Sequence, residues 1–421
     1  MNYDPRPPFP PGDPSANALS QEAARCVACG LCLPHCPTYR KTLNEADSPR
    51  GRIFMMAAVL EQKLPLSQEL IGHLELCLTC RACENACPSQ VRYGRLVDGV
   101  RALIEPQRVR PLRQQLIRRI LFKAVASPRL LQGTGWLLRA YQRSGLQGWA
   151  RKSRLLDRFG LGRTEAQLPV LKLAPPLSGI HPAQGAPLGT VGLFLGCIAR
   201  MTDAETLAAT IFVLNRLGYT VHAPRRQTCC GALHGHNGEI AQSGLLAQEN
   251  RAAFAGMDLQ AIVHAASGCG AALAEYEPPL AAPVLDISAF LAQAQGWDQV
   301  TLAPLAETIA VHEPCSSRNV LHDQDAAYRL LQRIPGATVS ALPGNDQCCG
   351  AAGIYALTQP EMAGVLLRDK IDAFRASGAR FLVTSNPGCA MHIATGLRAQ
   401  GREIEVLHPV SLIARQMGYT K

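Results

Sequence analysis

Two segments constrain this chain before anything else does: CVACGLCLPHCP at residues 26–37 and CLTCRACENACP at residues 77–88. Both read C-x2-C-x2-C-x3-C-P. The first supplies Cys26, Cys29, Cys32 and Cys36, then Pro37; the second supplies Cys77, Cys80, Cys83 and Cys87, then Pro88. Three thiolates spaced three residues apart on a tight loop can reach three corners of one metal–sulfur cube. The fourth lies further along and is aimed elsewhere. A tetrahedral zinc ion is satisfied by two CxxC pairs, so the third and fourth cysteines exceed what zinc requires.

This is the spacing with which paired iron–sulfur centres are held, the fourth cysteine of each run ligating the other cluster. The expected sets are therefore crossed. Cys26, Cys29, Cys32 and Cys87 would hold one [4Fe-4S] centre, and Cys77, Cys80, Cys83 and Cys36 the other. Sixteen cysteines in a chain whose N-terminus is Pro-rich and polar, without an apolar leader, point to metal or redox chemistry in a reducing compartment rather than to a disulfide framework.

A length of 421 residues suits two or three domains. No stretch approaches 18 uninterrupted apolar residues, so no membrane span is expected. The formal charge of +10 is concentrated: residues 108–172 hold fifteen Lys and Arg against Asp157 and Glu165. Within them, Leu112, Leu116, Ile117, Ile120 and Leu121 form the apolar face of a cationic helix, and Trp136 and Trp149 follow among further Arg. Such segments suit an anionic membrane surface or an acidic partner, or else pack on their own domains with a solvated basic face. Aromatics make up 5% of the chain and no nucleic-acid motif accompanies the charge, so nucleic acid is not expected as a partner.

Ser48 followed by Pro49 reads as a helix N-cap and first turn, with Ile53, Met56, Ala57 and Leu60 as the apolar stripe. A second short helix is expected over 66–76. Helices between the two cysteine loops favour an α-helical ferredoxin-like domain over the small β-hairpin kind. Arg50 and Arg52 lie near the first loop, either offsetting cluster charge or as solvated helix-start residues. The Pro/Gly-rich stretch 173–189 marks a boundary.

Beyond it the chain repeats itself. Cys197, Cys229, Cys230 and Cys269 recur as Cys315, Cys348, Cys349 and Cys389, at offsets of 118 to 120 residues, each central pair followed by Gly. A constant offset implies a duplicated unit. Short β-branched runs (VGLFLG, AIVHAA, TIAVHE, RFLVTS) alternate with helical stretches, which predicts parallel α/β units with the outer cysteines at the carboxyl ends of strands. The Cys-Cys-Gly triplet is expected to open a helix. Its glycine would let backbone pass close to sulfur, and helix N–H groups would lower the thiol pKa. The expected fold is thus α+β and multidomain. It comprises a two-cluster domain over 1–100, a basic helical connector and linker over 101–189, and Cys-Cys-Gly domains over 190–305 and 306–421. The eight later cysteines are candidate sites for further Fe–S clusters or zinc. His234, His236 and His392 lie near them in sequence as ligands, proton handlers or ordinary packing residues. No nucleotide-binding glycine motif is present, and no residue is assigned to catalysis.

The segments CGLCLPHCPTYR, DSPRGR, CLTCRACENACPSQVRYGRL and the FLGC at Cys197 resemble the iron–sulfur subunit of bacterial glycolate oxidase over nearly the whole chain. The resemblance implies an electron-transfer subunit beside FAD-containing flavoprotein subunits that oxidise glycolate, or D-lactate, with electrons passing toward a membrane quinone. It implies a cytoplasmic protein held peripherally on the inner face of the membrane. The arrangement is also similar to the iron–sulfur subunit of anaerobic glycerol-3-phosphate dehydrogenase. The Cys-Cys-Gly units resemble those of heterodisulfide reductase, whose fuller pattern ends in CxxC. Ala266 and Asn386 stand at the matching positions here.

Overall fold

The computed structural model describes residues 13–108, 110–153, 156, 162–166, 168–171, 177–402 and 404–420. Most of the Pro-rich N-terminal arm, with Asp157, Lys172 and part of the 173–189 linker, lies outside the described residues. The chain divides into two compact units. One comprises residues 1–122, 231–244 and 346–366; the other comprises 123–230, 245–345 and 367–421.

The first unit is helical. Its helices include Pro14–Ala24, Pro37–Thr42, Pro49–Leu60, Gln68–Glu75, Ala82–Asn85 and Tyr93–Ile104. Their starts follow local chemistry. Ser48 Oγ accepts from Gly51 N at 2.9 Å with Pro49 in the first turn, and Ser67 Oγ accepts from Leu70 N at 3.1 Å. Gly51 is sterically required, since a Cβ there would sit 2.0 Å from the Glu45 carbonyl oxygen. Met56, Val59, Leu74, Leu96 and Val97 are fully buried in one core, each contributing roughly 1.5–3 kcal/mol of transfer free energy. The helix Leu112–Ala126 begins here, and its predicted apolar face is not covered: Leu112, Leu116, Ile117, Ile120 and Leu121 are all exposed.

The second unit carries two sheets. β1 (Gly179–His181), β3 (Tyr219–Ala223), β2 (Gly189–Phe194), β4 (Ala261–His264) and β5 (Val284–Asp286) form the first in that spatial order, with only β1 antiparallel. β7 (Thr338–Ala341), β6 (Thr308–His312), β8 (Phe381–Thr384) and β9 (Val406–Leu407) form the second, wholly parallel. The four expected β-branched runs are β2, β4, β6 and β8. One hydrophobic core joins both sheets, from Val191, Leu193 and Val263 to Val311, Leu331 and Val383. Parallel strands buried on both faces need such continuous apolar runs. The basic segment enters this unit as the helices Pro128–Arg143 and Leu146–Ser153, where Trp136, Leu137, Leu146 and Trp149 are exposed.

Candidate metal centres

The two cysteine loops are built alike. Ala28 (φ 58°) and Gly30 (φ 78°) are left-handed in the first, and Thr79 (φ 52°) and Arg81 (φ 60°) repeat that hand at the same positions in the second. A left-handed non-glycine residue costs about 1–2 kcal/mol, so the conformation needs support from elsewhere. The turns gather the thiols. Cys26, Cys29, Cys32 and Cys87 line one cavity of about 430 Å³, whose wall also includes Cys83. Cys36, Cys77, Cys80 and Cys83 line another of about 300 Å³. In each, three cysteines of one run meet the fourth cysteine of the other.

Donors surround the second cavity. The Tyr93 hydroxyl donates to Cys77 Sγ at 3.6 Å, and Thr79 N donates to the same sulfur at 3.4 Å. Arg52, 1% exposed, donates from Nε to the His73 carbonyl at 2.7 Å and from Nη1 to Thr38 Oγ1 at 3.1 Å. Its Nη1 also lies 3.9 Å from Cys36 Sγ. Burial alone would lower its pKa, yet Tyr93, Cys77, Cys36 and Asp47 together hold it above the ordinary value. Arg50 instead lies at the surface, donating to Glu45 Oε1 at 2.8 Å and to the Ala28 carbonyl at 3.1 Å. Burial raises the thiol pKa of Cys83, reinforced by Cys80, Cys77 and Cys36, and burial pushes Cys32 up to about 11. Clusters of desolvated thiols with a buried cation beside them fit a polynuclear metal–sulfur centre, whose metal compensates the thiolate charge.

Segments 231–244 and 346–366 belong to the same unit. Arg101 donates to Thr79 Oγ1 at 2.9 Å and to the carbonyls of Leu74, Cys77 and His236. The Tyr355 hydroxyl donates to the Leu76 carbonyl at 2.9 Å. Cys348 lies close enough to Cys80 to raise its thiol pKa, an effect second only to burial. His236 Nδ1 bonds Asp98 Oδ2 at 2.7 Å, and the His234 ring packs on Phe122 with centroids 5.0 Å apart. His236 is thus held by a carboxylate and His234 by a ring contact. Gly231 and Gly350 are left-handed (φ 84° and 90°). A Cβ on Gly231 would meet Ser243 Oγ at 2.7 Å and one on Gly350 the Ala363 carbonyl at 2.8 Å, so a packed helix also requires these glycines, while Gly350 N donates to Cys348 Sγ at 3.5 Å. The helix Ala232–Gly235 follows the first triplet directly; the second is followed by turns until Tyr355–Thr358.

The first later set lies wholly within the second unit. Cys197 Sγ and Cys229 Sγ are 3.4 Å apart, and Cys230 is hydrogen-bonded to Cys229 and Cys269. The hydrogen bond to Cys229 and burial hold the Cys197 thiol well above its ordinary pKa. At Cys197 the bond to Cys229 and burial together outweigh the lowering by backbone N–H groups. Buried amides fix this corner. Gln227 accepts from Leu195 N at 2.7 Å and donates to the Leu193 carbonyl at 3.0 Å, while Asn250 donates to the Cys229 carbonyl at 2.9 Å. Asn345 repeats the Gln227 frame in the second copy, accepting from Glu313 N at 3.2 Å and donating to the Val311 carbonyl at 2.9 Å. Of the second set, Cys315 and Cys389 belong to this unit, and Cys348 and Cys349 to the other.

One of the positions departing from CxxC has structural work. Asn386 Oδ1 caps the helix Pro387–Ala399 through Gly388 N at 2.9 Å, and its Nδ2 donates to Ser267 Oγ at 3.2 Å. Sequence reasoning missed the buried pair at the ends of β4 and β5, where His264 Nδ1 lies 3.7 Å from Asp286 Oδ2. Burial pulls His264 down to about 3 and pushes Asp286 up to about 7, so charge pairing does not hold them. It missed His312 as well, whose Nδ1 bonds Thr384 Oγ1 at 2.9 Å, although a histidine three residues before a repeated cysteine is visible in the chain. No helix among the described residues is long and apolar enough to cross a membrane.

Comparison with known proteins finds matches for most of the chain. Residues 22–91 match a 4Fe-4S dicluster domain, and residues 191–274 and 309–394 each match a cysteine-rich domain. Residues 113–168 match the linker region of the glycolate oxidase iron-sulfur subunit. The probable glycolate oxidase iron-sulfur subunit of Bacillus subtilis is 34% identical, the alignment covering 94% of this chain and 95% of that one. The glycolate oxidase iron-sulfur subunit of Escherichia coli is 32% identical over 93% and 96%. One subunit of the fumarate reductase (CoM/CoB) of Methanothermobacter marburgensis is 25% identical over 92% and 71%. Two 4Fe-4S clusters are the cofactors of such a dicluster domain, and the paired cysteine-rich domains and the linker region match most of the rest of the chain. Identity above 30% across almost the full length makes this chain a member of the glycolate oxidase iron-sulfur subunit family.

Proposed function

We propose that this chain is the electron carrier of a glycolate-oxidising complex. It would take electrons from FAD-containing flavoprotein subunits that convert glycolate to glyoxylate, or D-lactate to pyruvate, and pass them toward a membrane quinone. The observation that carries the reading is the crossed lining of the two cavities, three cysteines from one run with the fourth from the other. Cys26, Cys29, Cys32 and Cys87 hold one cluster and Cys77, Cys80, Cys83 and Cys36 the other. Each cluster, when bound, accepts and releases one electron. The protein's part is to keep solvent from the second site, to set its potential through Arg52 and the Tyr93 hydroxyl, and to bring Cys348 near Cys80 as an onward contact. Cys197, Cys229, Cys230 and Cys269, and the second set Cys315, Cys348, Cys349 and Cys389, hold further Fe–S clusters.

Anaerobic purification of the complex from its host tests this. Recovery with a glycolate-oxidising flavoprotein, and iron well above the roughly eight atoms of two cubane clusters, is expected. Recovery with a glycerol-3-phosphate-oxidising flavoprotein instead would overturn the substrate. Zinc at two atoms per chain with about eight irons would overturn the later clusters.

The complex sits peripherally on the cytoplasmic face of the membrane, held by the exposed Leu, Ile and Trp of the basic segment among Arg and Lys. Washing membranes at high salt should release it, because screening weakens attraction to anionic lipid. Retention would argue for a hydrophobic or partner-mediated hold.

A further inference from the structure

The two cysteine-rich copies carry the same arginine in different company. Arg200 follows Cys197 by three residues, and Arg318 follows Cys315 by three. Backbone bonding fixes the same register: two residues before each cysteine, Leu195 N donates to Gln227 and Glu313 N donates to Asn345. In the second copy the arginine is neutralised. Arg318 Nη1 donates to Glu313 Oε2 at 2.7 Å, and Glu313 is buried at 8% exposure. In the first copy buried Leu195 stands where Glu313 stands, so that position offers no carboxylate. Arg200 Nε and Nη2 are buried and meet no hydrogen-bond acceptor among the described residues. Burial lowers the pKa of this guanidinium, and the charge of Cys197 offsets that lowering. Arg200 lies on the short helix Ile198–Thr202 that Cys197 leads into, and residues three apart on a helix face the same side. Buried N–H groups of a cation are costly to leave unmade, and an acceptor supplied by a bound group accounts for them.

We infer that Arg200 donates through Nε and Nη2 to the centre held by Cys197, Cys229, Cys230 and Cys269 and raises its potential, while Glu313 withholds Arg318 from the centre served by Cys315 and Cys389. The inference rests on the reading that the later cysteine sets hold Fe–S clusters. Arg200 and all four cysteines of the first set belong to one compact unit. Reduction adds one electron, and so one negative charge, to a centre that already carries thiolate charge. A guanidinium donating to its sulfur stabilises the reduced state more than the oxidised one. Such charge-assisted bonds are roughly twice as strong as neutral ones, and hydrogen bonds to sulfur are among the factors that set an Fe–S potential. Arg318 and Glu313 together carry no net charge, so the second centre gains no such bias. Two matched sets of four cysteines thus differ through one position, Leu195 against Glu313, and the first copy holds its electron more tightly.

The test is pulsed EPR and redox titration of the intact complex, reading signals beyond those of the two N-terminal clusters. In the unmutated protein grown with 15N-labelled arginine, a weak 15N coupling is expected on one such signal, a readout that needs no variant to fold. Arg200→Gln should remove the coupling and move that centre's midpoint potential downward, with iron content retained. Arg200→Lys keeps the charge and should recover most of the potential. Glu313→Gln unmasks Arg318 and should move the other additional midpoint upward. A 15N coupling absent from every additional signal overturns the assignment, as does one that persists in Arg200→Gln or a midpoint that stays in place in an iron-replete Arg200→Gln. Iron at about eight atoms with no additional signal would instead sink the cluster reading itself, an outcome the metal count separates from the others.

Discussion

The two cysteine loops share a motif and a left-handed backbone pattern, yet they face different media. Cys29 of the first is exposed, and Cys26 and Cys32 are half-buried. The set gathered by the second loop includes buried Cys36, Cys77 and Cys83. The cation differs in the same sense: Arg50 beside the first loop pairs with Glu45 at the surface, and Arg52 lies inside the protein beside Cys36 and Cys77. Loop geometry is thus set by ligand spacing, while burial and nearby donors are set by tertiary packing. Burial of an anionic centre lowers its potential, because reduction adds negative charge. A buried guanidinium and a hydroxyl donor to sulfur act in the opposite direction. Two clusters with the same ligands need not be isopotential, and the second is the one whose surroundings the protein controls most tightly.

The crossed sets offer the strongest way to break this comparison. Cys36→Ser is expected to abolish the cluster held by Cys77, Cys80 and Cys83 and leave the other intact, although Cys36 belongs to the first run. Iron should fall by about four atoms per chain, and one of the two N-terminal EPR signals should vanish. Loss of the signal that depends on Cys26, Cys29 and Cys32 would show that each run closes its own site.

Much of this was legible in the chain because it is local. Cysteine spacing encodes ligand geometry within twelve residues. Ser48 and Pro49 announce a helix start, and a fixed offset of about 120 residues exposes the duplication without any structure. The strands at β2, β4, β6 and β8 were visible as apolar runs because both faces of a parallel sheet are covered. What escaped depends on contacts between distant segments. Arg50 and Arg52 are two residues apart and indistinguishable in sequence, but one helical face turns Arg52 inward and leaves Arg50 at the rim. Tyr93 meets Cys77 from a later helix. The glycine after each Cys-Cys pair reads in the chain only as room for sulfur, and the later helix that also packs against it is not visible there. His312 looked like an ordinary strand residue until Thr384 came beside it through β8.

Arg52 and Arg50 allow a finer test of the same contrast. Arg52→Gln keeps some hydrogen-bonding capacity but removes the charge from a site where Asp47 Oδ1 lies 3.7 Å from Nη2 and is also bonded to His73 Nδ1 at 2.8 Å. Breaking a buried pair leaves the remaining charge uncompensated, which costs about 3–5 kcal/mol. The urea midpoint of the purified protein should fall accordingly, and the potential of the second cluster should move downward as the neighbouring positive charge is lost. Arg50→Ala removes a half-buried guanidinium at the rim of the first cavity. Its urea midpoint should fall by much less and the second cluster's potential should stay within experimental scatter, because partly exposed ion pairs are weak and screened. Equal losses in the two variants would mean that burial does not distinguish the loops, and the difference in medium between the two clusters would have to be abandoned.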